Sequence, residues 1–265
     1  MESMENGQPL RPDNPKDEEM WRAFLTGDDE GLKKLRGFWS RIPTNPRCKV
    51  CASPFGGIGG GLARVLWHAP LARNQLLCRA CDSMFRRHPG GAEIDVSVLF
   101  ADVRGSTGLA EGTSPTKFRK QLQAFYDVAW VAIPNWDGII DKFLGDGVMA
   151  LFIPAIAGEQ HAARAVAAGR DLLAGVARLP EPRLPVGVGI HSGLAYVGII
   201  GSAQDRDFSA LGDVVNVAAR LGSVAKAGEL LISTDAAHAA AVTSGAAPHL
   251  LELKGRHEPL EVISL

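Results

Sequence analysis

Two groups of residues in this 265-residue chain have the types and spacing to do chemistry. The first is Cys48, Cys51, Cys78 and Cys81, two C-x2-C pairs separated by 26 residues, and these four are the chain's whole complement of cysteine. Each short loop can place two sulfurs on one ion, and the long intervening segment closes the site, so four thiolates around structural zinc are expected. An iron–sulfur centre or a redox dithiol uses the same spacing. The second group is Asp102 and Asp146, 44 residues apart. Asp102 ends an apolar β-branched run, Ile94 to Phe100, and leads into Gly105-Ser106-Thr107. A strand ending in a carboxylate and opening into a small-residue loop makes a corner for a cation and a phosphate. Asp146 stands in Gly145-Asp146-Gly147 between two apolar runs, a hairpin signal that a plain tight turn also explains.

The elements that must position these residues follow from the pattern. Ser114-Pro115 opens a helix whose inner stripe is Phe118, Leu122, Phe125 and Ala129, with Pro134 ending or kinking it. An alanine-rich helix runs from His161 to Ala174. Val186 to His191 and Leu194 to Ile200 read as the strands of a second hairpin. Asp213 reads as the cap of a helix reaching about Leu221, and short strands follow at 229–232, 250–253 and 260–263. The fold class is therefore α+β, a ferredoxin-like βαββαβ domain with extra C-terminal strands, preceded by a small helical and zinc-binding module. In that topology the third strand lies between the first two and runs antiparallel to both. The end of the first strand and the second–third turn then share one sheet edge, which makes Asp102 and Asp146 neighbours. Two such carboxylates repel unless cations lie between them, so a metal pair is the natural occupant.

Charge supports a division into modules. Residues 33–92 carry eleven Lys or Arg against one acid, Asp82, whereas residues 1–32 are acidic and residues 93–265 hold nineteen acids and fourteen bases. The boundaries read as an acidic tail and helical segment over 1–47, a four-cysteine zinc-binding module over 48–88 and the larger domain over 93–265. Trp21, Phe24, Leu25, Leu32, Leu35 and Trp39 anchor the helical segment, interrupted at Gly27 and Gly31. The glycine-rich stretch FGGIGGGLARVLWH reads as a flexible connection inside the zinc loop, since it fits no phosphate-loop pattern. No run of 18 apolar residues is present, and the N-terminus lacks the basic and apolar parts of a secretory signal. A cytoplasmic location with no membrane partner is expected. Basic charge raises nucleic acid as a partner, but without interleaved aromatics or a reading helix it is not expected.

The blocks FADVRGST, KFLGDGVMALF and FSALGDVVNVAARL resemble the three signature blocks of class III adenylate and guanylate cyclases, and ELKGRHEPLEV resembles their C-terminal strand pair. The resemblance runs from about Glu93 to Leu265, and the paired-cysteine segment ahead of it is similar to a bacterial subgroup with a zinc-ribbon-like N-terminal segment. It implies that Asp102 and Asp146, with the Val103 carbonyl, hold two Mg2+ or Mn2+ ions. It implies that Lys142 and Ser209 read the base, Asn216 orients the ribose and Arg220 stabilises charge on the α-phosphate. Gly105, Ser106 and Thr107 then face the phosphates and Lys254 contacts the triphosphate. Asn216 and Arg220, four apart, share one helix face, and a planar guanidinium suits a phosphoryl transition state. Ser209 stands where many adenylate cyclases have Asp, while the Glu and Cys of guanylate cyclases are absent. The resemblance therefore implies ATP as substrate, cyclic AMP and pyrophosphate as products, and cyclic-nucleotide signalling as the setting. Active sites of this family lie between two catalytic domains, and this chain holds both residue sets, so a homodimer is implied. A guanylate cyclase and a non-catalytic cyclase-like sensor or adaptor are the alternatives.

Overall fold

The structure is a computed structural model and describes residues 4–5, 8–9, 15–71, 77–202, 206–242, 247–253 and 258–265. Its contacts divide the chain into two units, Met1–Ile94 with Tyr196–Ala210, and Asp95–Ala195 with Leu211–Leu265. In chain order the elements begin with β1 (Met4–Glu5), β2 (Gln8–Pro9), α1 (Pro15–Thr26), α2 (Glu30–Ser40), α3 (Gly57–Val65) and α4 (Arg79–Arg87). Next come β3 (Gly91–Val103), α5 (Ser106–Glu111), α6 (Pro115–Asn135), β4 (Ile139–Leu144), β5 (Gly147–Phe152), α7 (Pro154–Ala157) and α8 (His161–Ala177). The chain closes with β6 (Val186–Gly201), β7 (Arg206–Leu211), α9 (Asp213–Val224), β8 (Leu230–Ser233), α10 (Thr234–Ala239), β9 (His249–Leu251) and β10 (Leu260–Ser264).

In the first unit the helices meet through aromatic rings. Trp21 stacks on Phe85 at 5.6 Å, Phe24 meets both edge-on, and Phe85 stacks on Phe208 of β7 at 5.5 Å. Trp21, Phe24, Leu25, Leu32 and Trp39 are buried as the helical period requires. The break between α1 and α2 falls at Gly27, with φ +85°, and Asp29 caps α2 by accepting from the Leu32 N–H at 2.6 Å. Gly31 does not interrupt; it lies inside α2. The glycine-rich stretch is likewise a helix, α3, and not a flexible connection. Its glycines serve packing: a Cβ on Gly59 would meet Ile42 at 2.6 Å, and one on Gly60 would meet the Phe55 carbonyl at 2.7 Å.

In the second unit the strand order is β4-β5-β3-β6-β8-β10-β9. β5 lies between β4 and β3 and runs antiparallel to both, and β6 and β8 are parallel. β3-α6-β4-β5-α8-β6 is the expected βαββαβ order. Successive side chains of β3 face opposite ways. Leu99, Ala101 and Val103 join Phe125, Ala129 and Ile133 of α6 and Ala165, Leu172 and Val176 of α8 in the main core. Val217 and Leu221 of α9 pack on Leu231 and Val262 in a second cluster. α9 approaches β6 closely because neither side carries a Cβ there: one placed on Gly189 would fall 2.0 Å from the Gly222 nitrogen.

Two local expectations need correction. Residues 186–200 form no hairpin, because β6 is one 16-residue strand and its hairpin partner is β7. Ser192 is buried and bonds Ser97 Oγ at 2.6 Å, which holds it in the sheet where a turn would have removed it. At α9 the flanking residue is Gly212, with φ +140°, and Asp213 is the first helical residue, where its charge still favours the helix N-terminus.

Candidate active site

Asp102 and Asp146 come together at one end of the second unit's sheet. Asp102 pairs with Gly147 across β3 and β5, and the Val103 N–H donates to the Asp146 carbonyl at 3.2 Å. Burial raises the affinity of the Asp102 carboxyl for its proton, Arg104 opposes this, and the Asp146 carboxylate adds to it. That combination is what a cation would relieve, since a positive ion stabilises both carboxylates at once. Glycine leaves the corner open: nothing lies within 4 Å of a Cβ placed on Gly105 or Gly145, both with φ +63°. Gly105 flanks α5, and Ser106 and Thr107 form its first residues, half-buried and exposed.

Two side chains that sequence reasoning did not single out brace this corner. The Arg104 guanidinium pairs with the Asp102 carboxylate and donates to the Ser223 carbonyl at the end of α9, tying the β3 corner to that helix. The hydroxyl of Tyr126 donates to the Gly145 carbonyl, and its ring packs on Phe143 at 4.4 Å, so α6 holds the β4–β5 turn. Arg104 follows Asp102 by two residues, and that proximity was the available signal. Tyr126 carried none, because its partner lies 19 residues away.

The other expected site residues fall on identifiable elements. Lys142 is exposed on β4, pairs with Met149 across the ladder, and places Nζ 3.4 Å from Asp141. Asn216 is exposed and Arg220 half-buried on α9, off the face that buries Val214, Val217, Ala218 and Leu221. Ser209 is buried on β7 in the first unit. Lys254 lies outside the described residues.

In the first unit the four cysteine sulfurs lie within 4.8 Å of one another, and all four residues are buried. Cys48–Cys81 and Cys51–Cys78 are 3.8 and 3.7 Å apart. A tetrahedral ion with metal–sulfur bonds of about 2.3 Å requires sulfurs about 3.8 Å apart, so the donor set fits zinc. Hydrogen bonding from Cys48 pulls the Cys51 thiol down to about 6, and sulfur hydrogen bonds lower Cys78 as well. Burial pushes Cys48 up, and hydrogen bonds with the other sulfurs push Cys81 up. Protons are thus shared unevenly, and an ion would release those that remain. His68, which the cysteine spacing could not reveal, places Nδ1 3.3 Å from Cys78 Sγ and 3.6 Å from Cys51 Sγ. Burial works against its charge, but the Cys78 hydrogen bond and the two thiolates outweigh this and raise its proton affinity. The Arg36 guanidinium donates to the Lys49 and Val50 carbonyls at 2.9 and 2.8 Å, fixing the first cysteine loop.

Comparison with known proteins decides the family. The adenylate and guanylate cyclase catalytic domain profile matches residues 92–260. The chain belongs to the class III nucleotidyl cyclases. The structure of the guanylyl cyclase Cya2 superposes on this chain with a TM-score of 0.63 at 28% identity, covering 66% of this chain and 93% of that one. The adenylyl cyclase CyaB from P. aeruginosa gives a TM-score of 0.59 at 27% identity, covering 66% and 94%. An adenylate cyclase of Anabaena cylindrica is 33% identical over 139 residues, 49% of this chain and 27% of that protein. The chain spans about a third or less of the length of the curated relatives it matches. Among its described residues no helix is long and apolar enough to cross a membrane.

Proposed function

We propose that this cyclase converts ATP into cyclic AMP and pyrophosphate, as a cytoplasmic homodimer acting in cyclic-nucleotide signalling. The observation that carries the reading is the convergence of Asp102 and Asp146 at one sheet end, braced to α9 through Arg104. The two carboxylates, with the Val103 carbonyl, would hold two Mg2+ or Mn2+ ions. When bound, these ions activate the ribose 3′-hydroxyl and neutralise charge on the phosphates. Gly105, Ser106 and Thr107 offer the phosphates a small-residue loop, and Lys254 contacts the triphosphate. Arg220 stabilises charge at the α-phosphate with a fixed guanidinium plane, while Asn216, one turn earlier on α9, orients the ribose. Lys142 and Ser209 read the base. The Lys142 ammonium can donate to an adenine ring nitrogen, and the Ser209 hydroxyl can donate or accept.

The family's composite site gives the homodimer its chemical purpose, since one chain supplies the metal carboxylates and the other supplies Lys142, Ser209, Asn216 and Arg220. The modules are read as residues 1–47, 48–88 and 93–265, the middle one holding one structural zinc on Cys48, Cys51, Cys78 and Cys81, with His68 donating to the sulfurs. Keeping both Asp residues and Arg220 speaks against a non-catalytic adaptor. The test is turnover by purified protein with ATP or GTP, under Mg2+ and under Mn2+. Cyclic AMP formation with at least a tenfold preference for ATP is expected. Preference for GTP overturns the substrate assignment, and no product from either nucleotide overturns the catalytic one.

A further inference from the structure

The helix α3 between the two cysteine pairs carries an apolar face that the first unit does not use. At about 100° per residue, its buried side holds Gly59, Gly60 and Ala63. The opposite side holds Ile58, Gly61, Leu62 and Val65, and Leu66 and Trp67 follow in the turn that closes the helix. Ile58 is 97% and Val65 84% exposed, and Leu62, Leu66 and Trp67 are about half exposed. The helix cannot roll to hide them. Its inner side is fixed by glycines packed on Ile42 and on the Phe55 carbonyl, whereas nothing lies within 4 Å of a Cβ on Gly61. Five large apolar side chains held outward along one short helix and its C-terminal turn mark a binding face.

We propose that this face docks on an anionic lipid surface, with α3 lying in the plane of the interface. Charge selects that occupant. Residues 33–92, which contain α3, carry eleven Lys or Arg and one acid; Arg36 and Arg47 turn inward onto backbone carbonyls and Lys33 pairs with Asp28 and Glu30, while Arg64, Arg79 and Arg87 are exposed. Arg64 flanks the apolar arc on α3 itself, where its stem can follow the acyl boundary while its guanidinium stays among phosphates. Trp67, at the end of the helix, has the apolar body and polar N–H that suit a headgroup layer. A second copy would bring the same basic charge against the face and be repelled. Five side chains also fall far short of the roughly 20–30 residues per side of a stable protein interface. A lipid surface needs no such area, because apolar insertion and attraction to anionic headgroups add to give reversible binding. The docking is peripheral and revises the expectation of no membrane partner without requiring a span.

Flotation of the zinc-loaded full chain with vesicles tests this. One set contains phosphatidylcholine alone, and the other contains phosphatidylcholine with about 30% phosphatidylglycerol, the anionic component that the basic segment should attract. At least tenfold more protein should float with the anionic vesicles, and about 0.5 M NaCl should release most of it. Ile58→Ser with Val65→Ser should cut the bound fraction at least tenfold, and Arg64→Glu severalfold. Zinc content and melting temperature report whether each variant folds, and if the double variant does not, Arg64→Glu decides. Equal flotation on both vesicle types, flotation on neither, or unchanged binding by the folded variants overturns the proposal. So does a double variant that changes the sedimenting mass without any effect on lipid binding, which assigns the face to a protein partner.

Discussion

Val103 donates its backbone N–H to the Asp146 carbonyl at 3.2 Å, so the turn that carries one carboxylate is locked to the strand that carries the other. The lock is made by main chain, and the side chain of Asp146 is left for chemistry. Asp146→Asn should therefore keep the fold and lose cyclase turnover to background, because an amide binds a divalent cation far less well than a carboxylate. Activity assay and circular dichroism check both halves. Turnover near wild type would remove Asp146 from the metal site.

Gly189 controls where α9 sits, and so where Asn216 and Arg220 sit. A methyl group there meets the Gly222 backbone, and Gly189→Ala should destabilise by about 1–3 kcal/mol through overpacking. Gly108→Ala in α5, where nothing lies within 4 Å, should be neutral or slightly stabilising. Chemical denaturation of both variants provides the comparison, and equal stability would contradict the close α9–β6 contact.

Metal analysis should find one zinc per chain, lost to chelators and acid. His68 touches the sulfurs through Nδ1 and meets the Trp39 ring in an edge-type contact at 5.5 Å. His68→Phe keeps an aromatic ring and removes the donor, whereas His68→Gln keeps an N–H. Phe should weaken zinc retention about 10–100-fold against a chromophoric chelator, and Gln should restore much of it. Equal retention in both variants would make His68 a packing residue. Iron with visible absorbance would displace zinc altogether.

His161 gives the second unit a pH-dependent term. Burial lowers its proton affinity below the ordinary 6.5, against the pull of Asp95, and Nδ1 lies 2.8 Å from Ser97 Oγ. Between the depressed folded value and 6.5 the unfolded chain binds a proton that the folded chain refuses, so stability falls as pH falls through that window. His161→Gln should flatten the slope measured by denaturation between about pH 7.5 and pH 5.5. An unchanged slope would assign it to other groups.

Much of this was legible in the chain because local signals and topology agree. The GDG turn, the run ending at Asp102 and the periodic helix from Pro115 are strong patterns, and the βαββαβ order alone brings Asp102 and Asp146 together. Contacts between distant residues were not legible. β6 reads through Ser192-Gly193 because Ser192 shares a hydrogen bond with Ser97, 95 residues away. α3 is helical despite its glycines because they fit against Ile42 and Phe55. His68 reaches the thiolates from a stretch without metal-ligand spacing, and Arg104 reaches α9 across 119 residues.

The most direct test of a cyclase whose site is shared between two chains is complementation by mixing. On the proposed site, Asp102→Ala would remove a metal ligand and Arg220→Ala would remove transition-state charge stabilisation, so each mutant homodimer would have two damaged sites. A mixed dimer collects both lesions in one site and leaves the other intact. Cyclic AMP formation from ATP should be near background for either protein alone. After subunit exchange it should recover to about a quarter of wild type, since random mixing makes half the dimers mixed, each with one intact site. No recovery while heterodimers are shown to form would contradict the shared site and place Asp102 and Arg220 in one chain's own chemistry.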